Sequence, residues 1–579
     1  MSTSAGLSPD ELRQAATLLA KRLDIQTHQA EQLIGLARLV PLQRGDTLFQ
    51  QGDASRQFYL ILQGQLRGQR MRPDGQMDLT LSFYPGEMIG ELGFFDQSLR
   101  TLTICARRDS VLLEIDQQAL NRFGEHSHAV YQHLIRVLVA RFKKELGYRA
   151  PVSQHQLIAF HSLVKPDGLS ERAEEALCAG IKKQAELRRW SDWRALTLRP
   201  PVTNLPCVAE WLAVDIHTPL DERLIDDLDS MVVLFCASTL SDAQACEQLK
   251  ARIKQAEHQF PVWLVLVHEA AWVEANVARR VREQFGESFR VLHVRHGNQN
   301  DFARVARHVL GRTLGLVLGG GGARGFAHAG FYRAIQEAGI VVDHVGGTSM
   351  GALVGALIAS GRSAAEVEAV LAQSFKKGLP FKLTDYWIPR YGFVKSRAVD
   401  EVYHHAFGEA FIEDYPVPYF AVSCNLTTGM QHVFEQGLVW KAIRASTSIP
   451  VYFEPFLDGR QVMVDGALVN NVPADTMRAK GASKVMTVDV GLEEDITAHM
   501  ADDGVAHMPS LMKSLMRVIE LGGIEKSRQA RVISDLHIQP DIQNIGLMEF
   551  ERREEIVNLG YEAGKRAIPD ILSLVRKIT

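Results

Sequence analysis

Two glycine-framed turns in this chain bring together the residue types that acyl transfer needs: a serine that can be lifted clear of the backbone, and a run of bare amides that can hold an anion. The serine is Ser349, in Gly347-Thr348-Ser349-Met350-Gly351, a G-x-S-x-G pattern. A serine hydroxyl is a weak nucleophile until a base sits beside it and a sharp strand-to-helix turn presents it. Gly347 and Gly351 leave the room that such a turn requires. At the head of the helix that follows, Ser349 also lies near a positive dipole end, which favours developing negative charge. The amide run is Gly319-Gly320-Gly321-Gly322-Ala323-Arg324-Gly325. No side chain masks the N–H groups of Gly320, Gly321 and Gly322, and the next helix leaves its first N–H groups unpaired. Together they make an anion cradle of the kind an oxyanion hole requires.

The elements that must position these turns are legible on either side. Leu314-Gly315-Leu316-Val317-Leu318 reads as a buried parallel strand, and Phe326 to Ala338 as a helix closed by Gly339. Ile340-Val341-Val342 leads through Val345 into the serine turn, and Ala352 to Ser360 follows as a helix stopped by Gly361. If the two strands are neighbours in one parallel sheet, both turns emerge at the same carboxyl edge, where open α/β sheets bind ligands. Two other readings compete for the first turn. Gly320-x-Gly322-x-x-Gly325 also matches a dinucleotide fingerprint, with Asp343 near the offset of a ribose-binding carboxylate, and the glycines can equally serve a plain tight turn. A second glycine turn bearing a serine directly after Asp343 has no use in a nicotinamide site. A phosphate loop is excluded because no lysine follows the glycines.

The residues quoted so far resemble the patatin-like phospholipase family, whose marks are G-G-G-x-[RK]-G, G-x-S-x-G and a distant Asp-Gly pair. That pair is Asp465-Gly466-Ala467, after the strand-like Gln461-Val462-Met463-Val464. Delivered at the carboxyl end of its strand, Asp465 is expected on the same sheet edge as Ser349. The resemblance implies an α/β hydrolase domain with a mostly parallel sheet, working through a Ser349–Asp465 dyad. It also implies an oxyanion hole at Gly320, Gly321 and Gly322, with Arg324, Gly325, Gly347, Gly351 and Gly466 supporting the motifs. Arg324 orients an anionic head group or braces the loop, and bracing is the better fit. The implied substrate is a phospholipid, a lysophospholipid or a related acyl ester, and no cofactor is required. A free aspartate titrates at roughly 3.9, so a base role requires an environment that raises its basicity. The competing chemistry is a Ser-His-Asp triad using His328, His344, His404, His405 or His432. None of these five stands at a strand end after Asp465, where that order would place it.

The whole chain bounds these readings. Its 579 residues suggest three or four domains, and 46% hydrophobic residues is ordinary for a globular protein. Lys plus Arg number 64 against 68 Asp plus Glu, a net charge of -4, so no basic excess argues for nucleic acid. The start, Met1-Ser2-Thr3-Ser4-Ala5-Gly6, lacks the pattern of a secretory signal, and no apolar run approaches the twenty or so residues of a membrane span. Six cysteines, without CxxC spacing or disulfide density, fit a reducing compartment. The expected location is cytoplasmic, with peripheral membrane contact at most.

Ahead of the hydrolase motifs the chain divides into an amino-terminal helical segment (1–38, helical from Pro9 to about Ala37), a small β domain (39–148) and an α/β linker region (149–312). The hydrolase segment covers 313–579, with its core motifs in 314–480. Short β-like runs after Leu39 are spaced by turn pairs such as Arg44-Gly45-Asp46, Gln51-Gly52-Asp53 and Gln63-Gly64, which implies a β-barrel or jelly roll closed by an amphipathic helix, Val130 to Leu146. Residues 40–125 resemble a cyclic-nucleotide-binding domain. By that resemblance Gly90-Glu91 and Arg100-Thr101 form the phosphate cassette, with Glu91 on the ribose and Arg100 on the cyclic phosphate. Leu99 and Leu102 depart from the family pattern, and a barrel that has lost its ligand is the alternative.

The linker region shows buried-strand runs, Met231 to Phe235, Val262 to Val267 and Arg290 to Val294, alternating with helices such as Ser170 to Glu186. His268, His293 and His296 near these strand ends have no carboxylate or cysteine at metal-ligand spacing, so they read as structural and no metal is expected. The order of barrel, α/β linker and patatin-like domain resembles bacterial relatives of neuropathy target esterase. Lys376 to Tyr403 mixes aromatics with cations, which suits a lid over a pocket or a surface that meets lipid. Arg444 to Pro450 again resembles the family. A second function class stays open: a cyclic-nucleotide-responsive binding protein whose hydrolase domain is inert. Nothing in the sequence indicates the oligomeric state.

Overall fold

The computed structural model describes residue 16 and residues 27–71, 77–83, 87–116, 155–162, 167–183, 185–190, 208–213, 228–256, 260–286, 289–295, 297–375, 392–394, 396–491 and 526–576. The helix expected at Val130 to Leu146, and most of the aromatic and basic stretch (376–391 and 395), lie outside them. The chain forms two compact units, Met1–Leu146 with Leu220–Leu228, and Gly147–Pro219 with Asp229–Thr579.

In the first unit the turn-punctuated sequence forms two four-stranded antiparallel sheets. One runs in the order Arg38–Leu42, Ser110–Asp116, Gln57–Gln63, Met88–Ile89, and the other Thr47–Phe49, Thr103–Ala106, Leu66–Met71, Met77–Phe83. Tyr59, Ile61, Leu66, Phe83, Ile89, Ile104, Ala106 and Leu112 form a shared core. The turn pairs work as expected: Gly45, Gly52 and Gly64 all take φ near +90°, which costs a residue with a Cβ. Of the helical segment expected from Pro9 to about Ala37, Thr27–Leu36 is a helix, and residues 9–15 and 17–26 lie outside the described residues.

The second unit holds two sheets. The first is a six-stranded parallel sheet in the order Glu186–Trp190, Val208–Ala213, His155–Ser162, Ser230–Phe235, Val262–His268, Arg290–Arg295. Its three most apolar runs in sequence are its last three neighbours. The helix Gln299–Val309 then leads into the hydrolase segment, where Arg307 grips Asp343 with a two-nitrogen fork, at 2.9 Å through Nε and 2.7 Å through Nη2. Asp343 also accepts the Leu314 N–H at 2.9 Å and is fully buried, so it anchors the first strand instead of waiting for a ribose.

The elements of the hydrolase segment that position the site are β1 (Leu314–Leu318), α1 (Ala327–Glu337), β2 (His344–Thr348), α2 (Met350–Ala359), β3 (Tyr419–Asn425), β4 (Met430–Phe434), α3 (Val439–Ser446), β5 (Phe456–Asp458), β6 (Gln461–Asp465), β7 (Lys484–Val488), β8 (Leu536–Ile538) and α4 (Arg553–Arg576); further helices are Ala364–Ser374, Ser396–Phe407 and Ala474–Ala479. The sheet order is β5-β6-β3-β2-β1-β7-β8, with β4 paired to β3. Strands β3, β2, β1, β7 and β8 are parallel, whereas β6 runs antiparallel to β3. This changes how Asp465 arrives. Its strand runs against the central ones, yet β6 pairs only with the carboxyl half of β3, so Asp465 still lies at the edge that carries Ser349. Register sets the level: Thr348 pairs with Val422, and Ser423, the next residue, pairs with Asp465.

Every residue of α2 is buried, which accounts for its nearly continuous apolar sequence. Helix α4 packs on α1 at close range, and a Cβ on either Gly330 or Gly560 would strike the opposing backbone. Among the described residues, no helix is long and apolar enough to cross a membrane.

Candidate active site

Ser349 caps α2 with φ 55° and ψ −126°, a left-handed conformation that costs a non-glycine residue about 1–3 kcal/mol and persists only where its surroundings enforce it. The enforcement is visible. Cβ atoms at Gly347 or Gly351 would collide with the backbone of the opposing turn and with Leu318 O, so the turn can be this tight only with glycine at both ends. Thr348 Oγ1 donates to Asn470 O at 2.8 Å, and the Ser349 N–H donates to Ser446 Oγ at 2.9 Å.

Ser349 Oγ donates to Asp465 Oδ2 at 2.6 Å. The two residues come from β2 and β6, which flank β3, and two strand spacings amount to about 10 Å. That gap is one a serine and an aspartate side chain can bridge only over a small neighbour, and the buried residue level with them on β3 is Ser423. Asp465 Oδ1 accepts the Ala467 N–H at 2.9 Å, and the Asp465 N–H donates to Ser448 O at 2.9 Å. Burial pushes the Asp465 carboxyl up to about 6, against the opposing pull of the Ser349 hydroxyl and the Ala467 N–H. Desolvation thus moves the carboxyl in the direction that a base role would require.

The glycine loop lies against this pair, but its amides are not all available. Gly319 donates to Val488 O at 2.9 Å, and Gly320 to Asn471 O at 3.2 Å. The expectation that Gly320 belongs to an oxyanion hole is therefore corrected, because its N–H is spent within the loop's own support. Gly321 and Gly322 remain as the candidate donors. Arg324 is buried and its Nε donates to Gly321 O at 3.4 Å, which places it as a brace of the loop. Gly325 leaves room for Met350, and Gly466 for Val422 O.

Sequence reading passed over the pair Asn470-Asn471. The Asn471 Nδ2 donates to Gly320 O at 3.2 Å and the Asn470 carbonyl holds Thr348, so one dipeptide joins the aspartate loop to both glycine turns. Adjacent amides just past an Asp-Gly turn were the available signal, since asparagine side chains favour local bonds to loop backbone. Ser446 stands within the family-like run Arg444 to Pro450, where no spacing marks it out.

Among the described residues, the histidines are engaged away from the nucleophile. His328 is fully buried, donates from Nε2 to Gly319 O at 2.8 Å, and is held by desolvation at about 4, as a neutral brace. His344 is buried against Phe420, His404 pairs with Glu409, and His405 and His432 face Gln373 and Phe434. His537, not weighed from sequence although it lies on β8 after Asp465, bonds to Thr487. Among the described residues, no histidine is bonded to Ser349.

His268 and His293 form a chain of neutral imidazoles. The Glu274 N–H donates to His268 Nδ1, His268 Nε2 meets His293 Nδ1 at 2.9 Å, and His293 Nε2 donates to Glu413 O. Among the described residues, no group of three or more ligand types could hold a metal. His296 is outside those residues.

In the amino-terminal unit Glu91 opens the helix Glu91–Asp96 and is buried, and Thr101 is exposed. The Arg100 guanidinium donates to Gly90 O at 2.8 Å and Gln57 O at 2.6 Å, and stacks over Phe49 at 4.1 Å. The two carbonyls take one N–H each from Nη1 and Nη2, and among the described residues Nε has no hydrogen-bond partner. Leu102 packs against the sheet core and Leu99 is exposed.

A serine on a strand-to-helix elbow bonded to a buried aspartate, beside a glycine-rich loop on a mixed sheet, defines the patatin class of site. The family model of patatin-like phospholipase matches residues 316–478, and that of the cyclic nucleotide-binding domain matches residues 39–127. Residues 316–478 thus resemble a patatin-like phospholipase domain and residues 39–127 a cyclic nucleotide-binding domain, and the chain is similar to the neuropathy target esterases. The neuropathy target esterase of Drosophila melanogaster is 27% identical over 90% of this chain and 42% of its own length. The lysophospholipase nte1 of Neurospora crassa is 24% identical over 91% of this chain and 41% of its own length. This chain therefore spans less than half of those relatives. An NTE family protein of Mycobacterium tuberculosis is 27% identical over 96% of both chains.

Proposed function

We propose that this protein is a serine ester hydrolase that releases fatty acid from lysophospholipids or related acyl esters through Ser349 and Asp465. The observation that carries the reading is the 2.6 Å bond from the Ser349 hydroxyl to an aspartate whose carboxyl is raised to about 6. Ser349 Oγ attacks the ester carbonyl carbon as its proton passes to Asp465 Oδ2. The carbonyl oxygen becomes an oxyanion beside the Gly321 and Gly322 amides. Collapse breaks the ester C–O bond, and Asp465 returns the proton to the departing alcohol. Water then attacks the acyl-serine with Asp465 again as base, which frees the fatty acid and restores the hydroxyl. Each oxyanion donor contributes on the order of 3 kcal/mol in the transition state.

The lysophospholipase name of the Neurospora relative supports that substrate class. The test is release of fatty acid from lysophospholipids, diacyl phospholipids and short esters by purified protein. Wild type should be active and Ser349→Ala inactive, and a wild type inert on all three classes would refute the reading.

The amino-terminal domain is proposed to take a cyclic nucleotide at Gly90, Glu91, Arg100 and Thr101, with the Arg100 guanidinium on the cyclic phosphate. Losing a charge-assisted contact costs roughly 1.5–3 kcal/mol, so Arg100→Ala should weaken binding about ten- to a hundredfold. Calorimetry with cyclic AMP and cyclic GMP measures this. Absence of heat from wild type at millimolar nucleotide would leave the arginine as a structural tie. Regulation requires in addition that ligand change esterase activity, because a ligand shifts an equilibrium only by preferring one of its states.

A further inference from the structure

The end of α3 touches both reacting groups. Ser446 Oγ accepts the Ser349 N–H at 2.9 Å and donates its own proton to Val422 O at 2.5 Å, while two residues on the Ser448 carbonyl accepts the Asp465 N–H at 2.9 Å. Ser446 is fully buried, and a hydroxyl that gives its single proton to Val422 can only accept from Ser349. The helix end is itself fixed. Arg444, on the same turn, pairs with Asp400 at 2.9 Å, donates to Glu454 O at 2.8 Å and bonds the Ser448 hydroxyl. The strained backbone of Ser349 therefore leans on one hydroxyl whose direction is set by a braced helix end.

We infer that Ser446 is a positioning residue for the hydrolysis proposed above, holding the elbow so that Ser349 Oγ stays within hydrogen-bond reach of Asp465. The inference rests on the dyad reading and adds to it a residue that never meets the substrate. It also removes the Ser349 amide from the set of oxyanion donors, since that N–H is already given to Ser446. Replacing Ser446 by alanine leaves the Ser349 N–H without its acceptor and lets the elbow relax toward an unstrained φ, which draws Oγ away from the carboxylate. Misplacement on the scale of an ångström can cost about a hundredfold in rate.

The test compares wild type with Ser446→Ala in steady-state hydrolysis of a soluble ester across pH, in parallel with fluorophosphonate labelling and thermal melts. Expected are a loss of about 10- to 100-fold in kcat with KM little changed, and labelling of Ser349 slowed in proportion. The acidic limb of the rate profile should also move upward from about 6, because the serine hydroxyl that favours the carboxylate form has withdrawn. A merely structural role would lower the melting temperature without moving that limb. Activity within threefold of wild type, or a loss with the limb in place, overturns the inference. If Ser446→Ala does not fold, Ser446→Cys is read in the same way, because a thiol is a weaker acceptor: a smaller loss with the same upward shift supports the role, and wild-type behaviour refutes it. A wild type with no Ser349-dependent turnover would instead sink the hydrolase reading itself.

Discussion

Ser349→Ala and Asp465→Asn should each reduce esterase turnover by at least about a thousandfold, and the double variant should be scarcely slower than either single one. Residues that act as a unit lose their whole joint contribution when one member is removed. Here the unit is a single hydrogen bond of 2.6 Å, through which, in the proposed mechanism, the proton leaves Ser349 and later returns. Asp465→Asn keeps the shape and the Ala467 contact but has no lone pair basic enough to take the proton. The measurement is single-turnover and steady-state kinetics on a soluble ester, with a fluorophosphonate probe reporting on Ser349 independently. Labelling should vanish in the serine variant and fall steeply in the aspartate variant. Turnover of Ser349→Ala above a few per cent of wild type would remove Ser349 from the mechanism.

The second large effect is on stability, with a sign opposite to most active-site substitutions. Burial raises the Asp465 carboxyl from 3.8 to about 6, so at neutral pH the folded protein holds an ionised group that would rather be neutral. Two pKa units and a little more correspond to about 3 kcal/mol. The direction follows from proton binding. Between about 4 and about 6 the folded state keeps a proton that the unfolded state has released, so this group's contribution to stability falls as pH rises through that window. Above it the full cost is present, and below 4 there is none.

Asp465→Asn, which carries no charge to desolvate, should therefore melt at nearly the wild-type temperature near pH 4 and several degrees higher at pH 7.5. Taking the difference between the two proteins at each pH cancels the titration of every other group. A difference that did not change with pH, or an asparagine variant less stable at pH 7.5, would mean that Asp465 is not desolvated as the geometry requires. The same titration sets activity. In wild type, kcat/KM should climb with unit slope and level off above about 6, because only the carboxylate can act as base.

Both expectations concern an environment, and that is the part of this site that could not be read along the chain. The serine elbow was legible because its cause is local: an apolar strand, two glycines where a Cβ would collide, and a helix-forming run directly after. The turns of the amino-terminal sheets were legible for the same reason, with glycine standing where φ must be positive. Asp465 could be named from its Asp-Gly motif, but the route by which it reaches Ser349 could not. Sequence put it at a strand end on the edge of Ser349, and β6, antiparallel to β3, reaches that edge by register with Ser423. Strand direction is settled by which edges remain to be paired once β1, β2 and β3 are in place, and that is a property of residues more than a hundred positions apart.

The amino-acid sequence by itself thus named the serine turn, the glycine loop and the passage from short antiparallel strands to α/β segments. Each of these follows from short-range periodicity and from steric limits on a few residues. Only the tertiary structure decided the rest. It gave the Gly320 amide to Asn471, turned His328 into a neutral brace, engaged Arg100 with two carbonyls, and set Ser446 under the nucleophile. It also desolvated Asp465. The physical reason is the same in each case: a donor's partner and a carboxylate's solvation depend on what packs around them, and nothing local to Gly320, Arg100 or Asp465 encodes that neighbour.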